Sequence, residues 1–570
     1  MKIRALLAAI GLMALVSCGG GAGGDNDGGG PGGGGGMSAN PLTEAQASRL
    51  LQQATFGATP ATLDQATGMT AEAWVDQQFA LGPSMPYLEY VDGRIGELGQ
   101  NALFNRALFY EAWWRNAATG DDQLRQRVAF ALSEIFVVSL LDGDHIRNRQ
   151  AGAYYDILLN NAFGNFRDLL EDVTLSPSMG FYLTYFRNEK ENADGTRFPD
   201  ENYAREVMQL FTIGLDELNI DGTLRLDAQG DPIPTYSGDD IRGLAKVFTG
   251  LSQPRGRPSD TFFASSDPDA LVKPMVFYPE YHSTSEKRFL GVTIPAQSTP
   301  DPEGDLRIAL DALFNHPNVG PFIAQRLIQR LITSNPSPEY VARVATVFND
   351  NGSGVRGDMR AVVRAIILDD EARDETRIAD PSFGKLREPL IRIANYVRAV
   401  ESRSVSGNWR IGGTSGNTQL DQSPLTAPSV FNFYRPGYTP PALTALGQRN
   451  LLAPEFQITD EVSVAGYLNY LRNSINVGLG AAPAGGPDVL TDYEDLMALV
   501  DDAARLVDRL DLLLTANQLS DSTKQVVIAE LNDLPVDPNL SASALAARRR
   551  SRIRAAIFLV MSSNDYLVQR

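Results

Sequence analysis

One cysteine and three histidines in 570 residues set the first limits. Cys18 alone rules out an intramolecular disulfide, and His145, His282 and His316 are too scattered for thiolate zinc sites or histidine-rich metal centres. Carboxylate-bound Ca²⁺ or Mg²⁺ stays open. Positive charge is also short: 50 Lys and Arg against 69 Asp and Glu leave a net charge of −19 and a pI near 4.7. A nucleic acid is therefore disfavoured as a partner, because nothing supplies net counterion release. There is no H-E-x-x-H, no G-x-S-x-G, no P-loop and no Rossmann fingerprint. No cofactor is expected, and no nucleophile is announced by motif.

What is present reads as a soluble globular chain, 43% hydrophobic with mean hydropathy −0.18. The amino terminus is an address. In "MKIRALLAAIGLMALVSC", Lys2 and Arg4 form a positive region and Ala5 to Leu15 an apolar one. The apolar stretch is shorter than the roughly 20 residues that span a bilayer, so residues 1–17 are expected to be a signal peptide. Leu15-Val16-Ser17-Cys18 resembles a bacterial lipobox, which predicts lipidation at Cys18 and attachment to the membrane through that lipid. Gly19, in place of aspartate, resembles the outer-membrane sorting pattern. Residues 18–40 are glycine-rich with nothing apolar to bury, and are expected to be a flexible tether.

From residue 41 the pattern is helical. Thr43 with Gln46 reads as a capping box, and Thr59-Pro60 opens a second helix. Residues 101–118 and 122–141 read as two long helices. The apolar run Ile135 to Leu141 would also suit a buried strand, but its length favours helix. A β-containing insertion is expected over about 219–295, with a hairpin over 223–236. Residues 403–455, rich in Gly, Pro, Ser and Asn, are expected to be long ordered loops. The fold class is thus mainly α, with residues 41–570 as a single large helical domain, in one or two lobes.

"ENYAREVMQLFTIGL" (201–215) concentrates charge. At 100° per residue, Glu201, Asn202, Arg205, Glu206, Gln209 and Thr212 share an arc of about 140°. The other side, Leu215 included, is apolar. Asp200 is a plausible N-cap and Glu201–Arg205 an i,i+4 pair. By pattern alone this is the wet face of an amphipathic helix. The basic run "AARRRSRIRAAIFLVM" (546–561) likewise reads as a terminal helix with one face exposed.

"LLQQATFGATPATLDQA", "FRDLLEDVTLSPSMGFYL", "ENYAREVMQLFTIGL", "DDIRGLAKVFTGLS", "HSTSEKRFLG" and "HPNVGPFIAQRLIQRLI" occur in this order and together resemble the bacterial family known as domain of unknown function 1800. The resemblance implies a secreted or envelope-anchored, mainly helical protein, and it carries no activity. Asn202, Tyr203, Ala204, Arg205 and Glu206 match the family's Asn-Tyr-Ala-Arg-Glu core. His282 and Lys287 match its His-x4-Lys element. Where many members have histidine, this chain has Phe211 or Thr212.

Two functions follow as expectations. The first is a lipid-anchored envelope protein that binds or assembles with another secreted protein or a surface polymer. The second is a hydrolase of an envelope or extracellular polymer. In it Glu206 and Glu201 would be the paired carboxylates, and Arg205, His282 and Lys287 would stabilise charge; Asn202 and Gln209 are candidate binding residues. A carboxylate metal site on Asp200, Glu201 or Glu206 is a weaker third, and no metal is assigned.

Overall fold

The computed structural model describes residues 40–104, 106–141 and 146–570. The expected signal peptide at 1–17, the expected lipidation site Cys18, the expected tether up to residue 39, and His145 lie outside the described residues. Residues 40–570 form one compact unit. About half of the chain is helical, in 24 α-helices among the described residues. Each sheet among them is one antiparallel pair of short strands. The fold is mainly α. None of the described helices is long and apolar enough to cross a membrane.

The helices that place the site are α1 (Glu44–Ala54), α2 (Ala107–Thr119), α3 (Gln123–Ser133), α4 (Asn202–Gln209), α5 (Gly238–Ala245), α6 (Pro302–Asn315), α7 (Val319–Leu331) and α8 (Pro389–Ala399). The paired strands are β1 (Leu251–Ser252) with β2 (Val276–Phe277) and β3 (Lys287–Phe289) with β4 (Val292–Ile294). The other two pairs are β5 (Lys385–Leu386) with β8 (Val568–Gln569), and β6 (Arg403–Ser404) with β7 (Val489–Leu490). The β5–β8 pair brings the carboxyl end of the chain beside α7, where Gln569 Nε2 donates to Leu331 O at 2.8 Å.

α1 begins as its sequence requires: Thr43 accepts from the Gln46 N–H, and the Gln46 side chain accepts from the Thr43 N–H. The core centres on Phe56, Trp113, Trp114 and Phe130. Trp113 lies edge-on to Phe56 at 5.2 Å and to Trp114 at 5.1 Å. α8 is buried on every side although it carries two arginines and an asparagine. Arg398 Nε donates to Gly57 O at 2.6 Å, Arg392 Nε to Arg387 O at 2.7 Å, and Asn395 Nδ2 to Gln52 Oε1 at 3.0 Å. Backbone carbonyls thus hold charges that would otherwise cost several kcal/mol to bury. Gly57 sits at φ +116°, and a Cβ there would lie 2.0 Å from Asn395 Nδ2; only glycine lets the end of α1 seat against α8.

Several expected boundaries are corrected. The stretch 122–141 is not one helix. α3 stops at Ser133, its last carbonyl bonds reach only to Phe136, whose N–H donates to Leu132 O at 2.8 Å, and Ile135 to Leu140 stay buried. Leu140 N–H donates to Leu425 O at 2.8 Å and Ser139 Oγ to Ala427 O at 2.7 Å. An apolar run carries no period to decide its form, and here pairing with a distant loop won. Residues 101–118 are a 3₁₀ turn, Gln100–Phe104, followed by α2. The turn of the 223–236 hairpin forms, with Asp227 N–H donating to Asp231 O at 2.9 Å, but its arms meet only as isolated bridges.

Candidate functional site

α4 is shorter than its amphipathic pattern. It ends at Gln209 and opens through wide turns, Phe211 N–H to Glu206 O at 3.2 Å and Ile213 N–H to Met208 O at 2.9 Å. These five-residue bonds break the 100° stepping. Thr212 therefore turns into the core and is fully buried, while Leu215, expected on the apolar side, is 55% exposed. Glu201, not Asp200, stands at the N-cap position, although Asp200 Oδ1 does accept from the Asn202 N–H at 2.9 Å. Tyr203, Ala204, Val207, Met208 and Phe211 are buried, with Tyr203 stacked on Tyr185.

The polar arc meets several partners. Arg205 Nη2 lies 3.2 Å from Glu201 Oε2, and both side chains are more than one third exposed. Asn202 donates to Thr184 Oγ1 at 2.7 Å, and Gln209 Oε1 accepts from the Tyr236 hydroxyl at 3.2 Å. Glu206 is half-buried, and its Oε2 has no donor. Burial pushes its carboxyl up, against a weaker opposing pull from Arg205.

His282 and Lys287 converge on Asp305, in the first turn of α6, rather than on Glu206. Asp305 Oδ2 accepts from Lys287 Nζ at 2.7 Å and from His282 Nε2 at 3.0 Å, and Oδ1 from Gln297 at 2.8 Å. His282 Nδ1 lies 2.9 Å from Thr249 O, so both ring nitrogens face oxygen acceptors. Lys287 Nζ also donates to Ser283 O at 2.7 Å. All three side chains are at most 1% exposed. Burial would raise the Asp305 pKa, but the bonds from His282, Lys287 and Gln297 hold it below the ordinary carboxylate range. Lys287 opens β3, which lies against α5 because Gly243 has no side chain: a Cβ there would sit 1.7 Å from Arg288 O. This triad fastens the insertion to α6.

Gln209 leads to a different constellation. With Leu210 it lines a narrow cleft whose other walls are Phe322, Arg326 and Arg330 of α7, Glu134 and Ile135 after α3, and Val430, Phe431 and Pro436. The cleft holds about 60 Å³ of free space. Beneath it lies a buried charge network. Glu134 Oε1 accepts from Asn432 and from the Tyr434 hydroxyl, both at 3.3 Å, and its Oε2 is 3.6 Å from Arg330 Nε. The Arg330 guanidinium stacks on Tyr434 at 4.5 Å. The Arg330 carbonyl receives Arg127 at 2.7 Å and Lys385 at 2.8 Å. Lys385 Nζ in turn lies 3.2 Å from Glu455 and 3.6 Å from Glu388, whose Oε2 accepts from Gln422 at 2.6 Å. None of these charged groups is more than 3% exposed.

Glu134 and Glu388 each keep one oxygen without a donor, Oε2 and Oε1 respectively, and each feels the other's charge. Burial and then the Glu388 charge push Glu134 up to about 8, although Arg330 opposes. Burial alone would raise Glu388 too, but Lys385, Glu134, Arg127 and Arg330 bring it to about 2. Glu134 therefore keeps its proton at neutral pH and Glu388 does not. Arg127, Arg330 and Lys385 then face only two carboxylates, Glu388 and Glu455.

The sequence reading missed this network. Its charged members lie in separate stretches, as in "SEIFVV", "RLIQRLI" and "KLREPLIRI", that no spacing rule links. Among the described residues no group of three or more His, Cys, Asp or Glu side chains is placed to hold a metal ion.

The chain matches the family described as protein of unknown function (DUF1800) over residues 49–568, nearly its whole length, and it belongs to that family. No curated protein and no solved structure matches it.

Proposed function

We propose that this DUF1800 member is a lipid-anchored protein of the bacterial envelope, in the outer membrane, whose helical body binds another secreted protein or a surface polymer. The address rests on the amino-terminal pattern: a positive start, a short apolar stretch, Cys18 in a lipobox, and Gly19 after it. The binding role rests on one observation. The motif helix α4 delivers Gln209 to a cleft floored by Glu134 and walled by Arg326 and Arg330. A small concave site with apolar walls and a few converging polar groups is what a binding protein presents.

The tests separate address from binding. Cys18→Ala should move the protein from the membrane to the soluble fraction; unchanged pelleting would sink the anchor. Arg326→Gln should keep the melting temperature and lose retention on isolated envelope material. Equal retention would remove the cleft from the binding role. For the motif helix, Glu206→Ala with retained stability and lost partner retention marks a functional carboxylate; a large stability loss with retention intact marks a structural one.

A second reading, the hydrolase, is favoured by the Glu134–Glu388 pair. A carboxyl that keeps its proton at neutral pH beside one that does not is the pairing general acid–base chemistry uses. On this reading Glu134 and Glu388 take the roles expected of Glu206 and Glu201. Glu134→Gln and Glu388→Gln would each abolish release of fragments from envelope polymer that the intact protein degrades.

A further inference from the structure

We infer that the cleft where the end of α4 meets α7 is an oxyanion site, in which Arg326 and Arg330, with Gln209 beside them, hold one carboxylate, phosphate or sulfate group of the bound ligand. The inference rests on the binding reading above and names the chemistry of what is bound.

Three observations carry it. First, Arg326 and Arg330 stand one turn apart on α7 and both line the cleft. Among the described residues Arg326 has no carboxylate partner; it donates to Gln329 Oε1 at 3.2 Å and stacks on Phe322 at 4.8 Å. Arg326 thus stands one turn from a second guanidinium with no carboxylate of its own, a charge that an anion relieves, and the forked donors of the two arginines match a planar or tetrahedral oxyanion. Second, the charge beneath the cleft is not balanced. With Glu134 protonated, the network of Arg127, Arg330, Lys385, Glu388 and Glu455 keeps one excess positive charge, and Arg326 adds another. Third, the size fits. The free space of about 60 Å³ equals the liquid share of about two waters, near the bulk of one such group. The apolar side of the cleft, Phe322, Leu210 and Phe431, would meet the scaffold that carries it.

The lack of a carboxylate partner at Arg326 shows electrostatically as well. Burial, and then the charge of Arg330, lower Arg326 to about 10. An anion in the cleft reverses the second effect.

The site carries its own pH signature. Glu134 is faced by Arg330, Glu388, Lys385, Arg127, Glu455, Tyr434 and Tyr155. When it loses its proton near pH 8, the network's own excess positive charge disappears, Arg326 alone keeps its charge, and a carboxylate stands at the cleft floor. Anion binding should therefore weaken as pH rises through about 8, and Glu134→Gln should remove that dependence.

The test uses the full lipidated chain in detergent, melted and titrated calorimetrically with acetate, inorganic phosphate and sulfate against chloride at equal ionic strength. At least one oxyanion should raise the melting temperature saturably at neutral pH, and the acetate arm separates a carboxylate source from a phosphate or sulfate one. Arg326→Gln, a half-buried position that should fold, should lose about tenfold or more in affinity, and Arg326→Lys less. The effect in the unaltered protein should fade above pH 8 and persist in Glu134→Gln. No oxyanion effect in the unaltered protein would overturn the inference. So would an unsaturable rise of equal size in Arg326→Gln, which is general salt exclusion. Neither result touches the membrane anchor or retention on envelope material, so the two readings fail separately.

Discussion

Glu134 and Glu388, which lie 254 positions apart in the chain, are linked in the core through Arg330 and Lys385: Glu134 Oε2 lies 3.6 Å from Arg330 Nε, the Arg330 carbonyl accepts from Lys385 Nζ at 2.8 Å, and Lys385 Nζ lies 3.6 Å from Glu388 Oε1. Because a proton stays on Glu134 up to about pH 8, the folded state binds it where an unfolded chain, with a glutamate pKa near 4.5, has released it. The contribution is fully present below the unfolded value and is lost as pH rises through the folded one. Between about pH 5 and 8 Glu134 should therefore lower the unfolding free energy as pH rises, with a limiting slope of about 1.4 kcal/mol per pH unit. Glu388 acts in the opposite sense: depressed to about 2, it stabilises above the ordinary glutamate value and the effect fades in acid. Urea unfolding across this range, compared with Glu134→Gln, reads the difference. A glutamine variant with the same slope as the parent would show that Glu134 ionises normally.

The triad His282–Asp305–Lys287 predicts a stability effect. Asp305→Asn leaves Lys287 buried without its carboxylate, which should cost about 3–5 kcal/mol in urea unfolding. Replacing both partners, Asp305→Leu with Lys287→Met, should recover much of that loss, since well-packed apolar pairs often match a buried ion pair. The depressed pKa of Asp305 gives the sign in acid: its stabilisation is present at neutral pH and disappears as pH falls below the ordinary carboxylate range. Additive effects of the two substitutions would show that the pair is not coupled.

The Glu201–Arg205 pair predicts little. Both side chains are more than one third exposed, and their separation is 3.2 Å. Glu201→Gln or Arg205→Ala should change stability by about 0.5 kcal/mol or less. A loss well beyond that, measured by thermal melting, would mean that the arc is covered in solution by another surface.

The extent to which the fold is legible in the sequence follows the period of each segment. Capping residues and 3.6-residue spacing place α1 and the buried face of α4 correctly, because both signals are local. They fail at Ser133 and at Gln209, where contacts from remote loops and wide turns end helices that the pattern would continue. The charged residues divide in the same way. Glu201, Asn202 and Arg205 lie on the outer face of α4 as the helical wheel requires. His282 and Lys287 are joined by Asp305, which no spacing rule links to them. The network under the cleft draws Gln422, Asn432, Tyr434 and Glu455 from a loop region that carries no periodicity.

Glu206 remains the residue where stability and function pull apart. Its Oε2 is buried without a donor, and burial raises its pKa, so holding it ionised at neutral pH costs stability. A raised carboxyl stabilises the fold only below its folded pKa, and that contribution is lost as pH rises through it. Glu206→Gln should therefore equal or exceed the parent in melting temperature at neutral pH, and the advantage should shrink in acid, where both side chains are neutral. Unfavourable carboxyls of this kind persist where a partner or substrate uses them. The same variant should lose retention on envelope material. If it melts lower than the parent, the carboxylate has a stabilising contact in the native state and its motif position is structural.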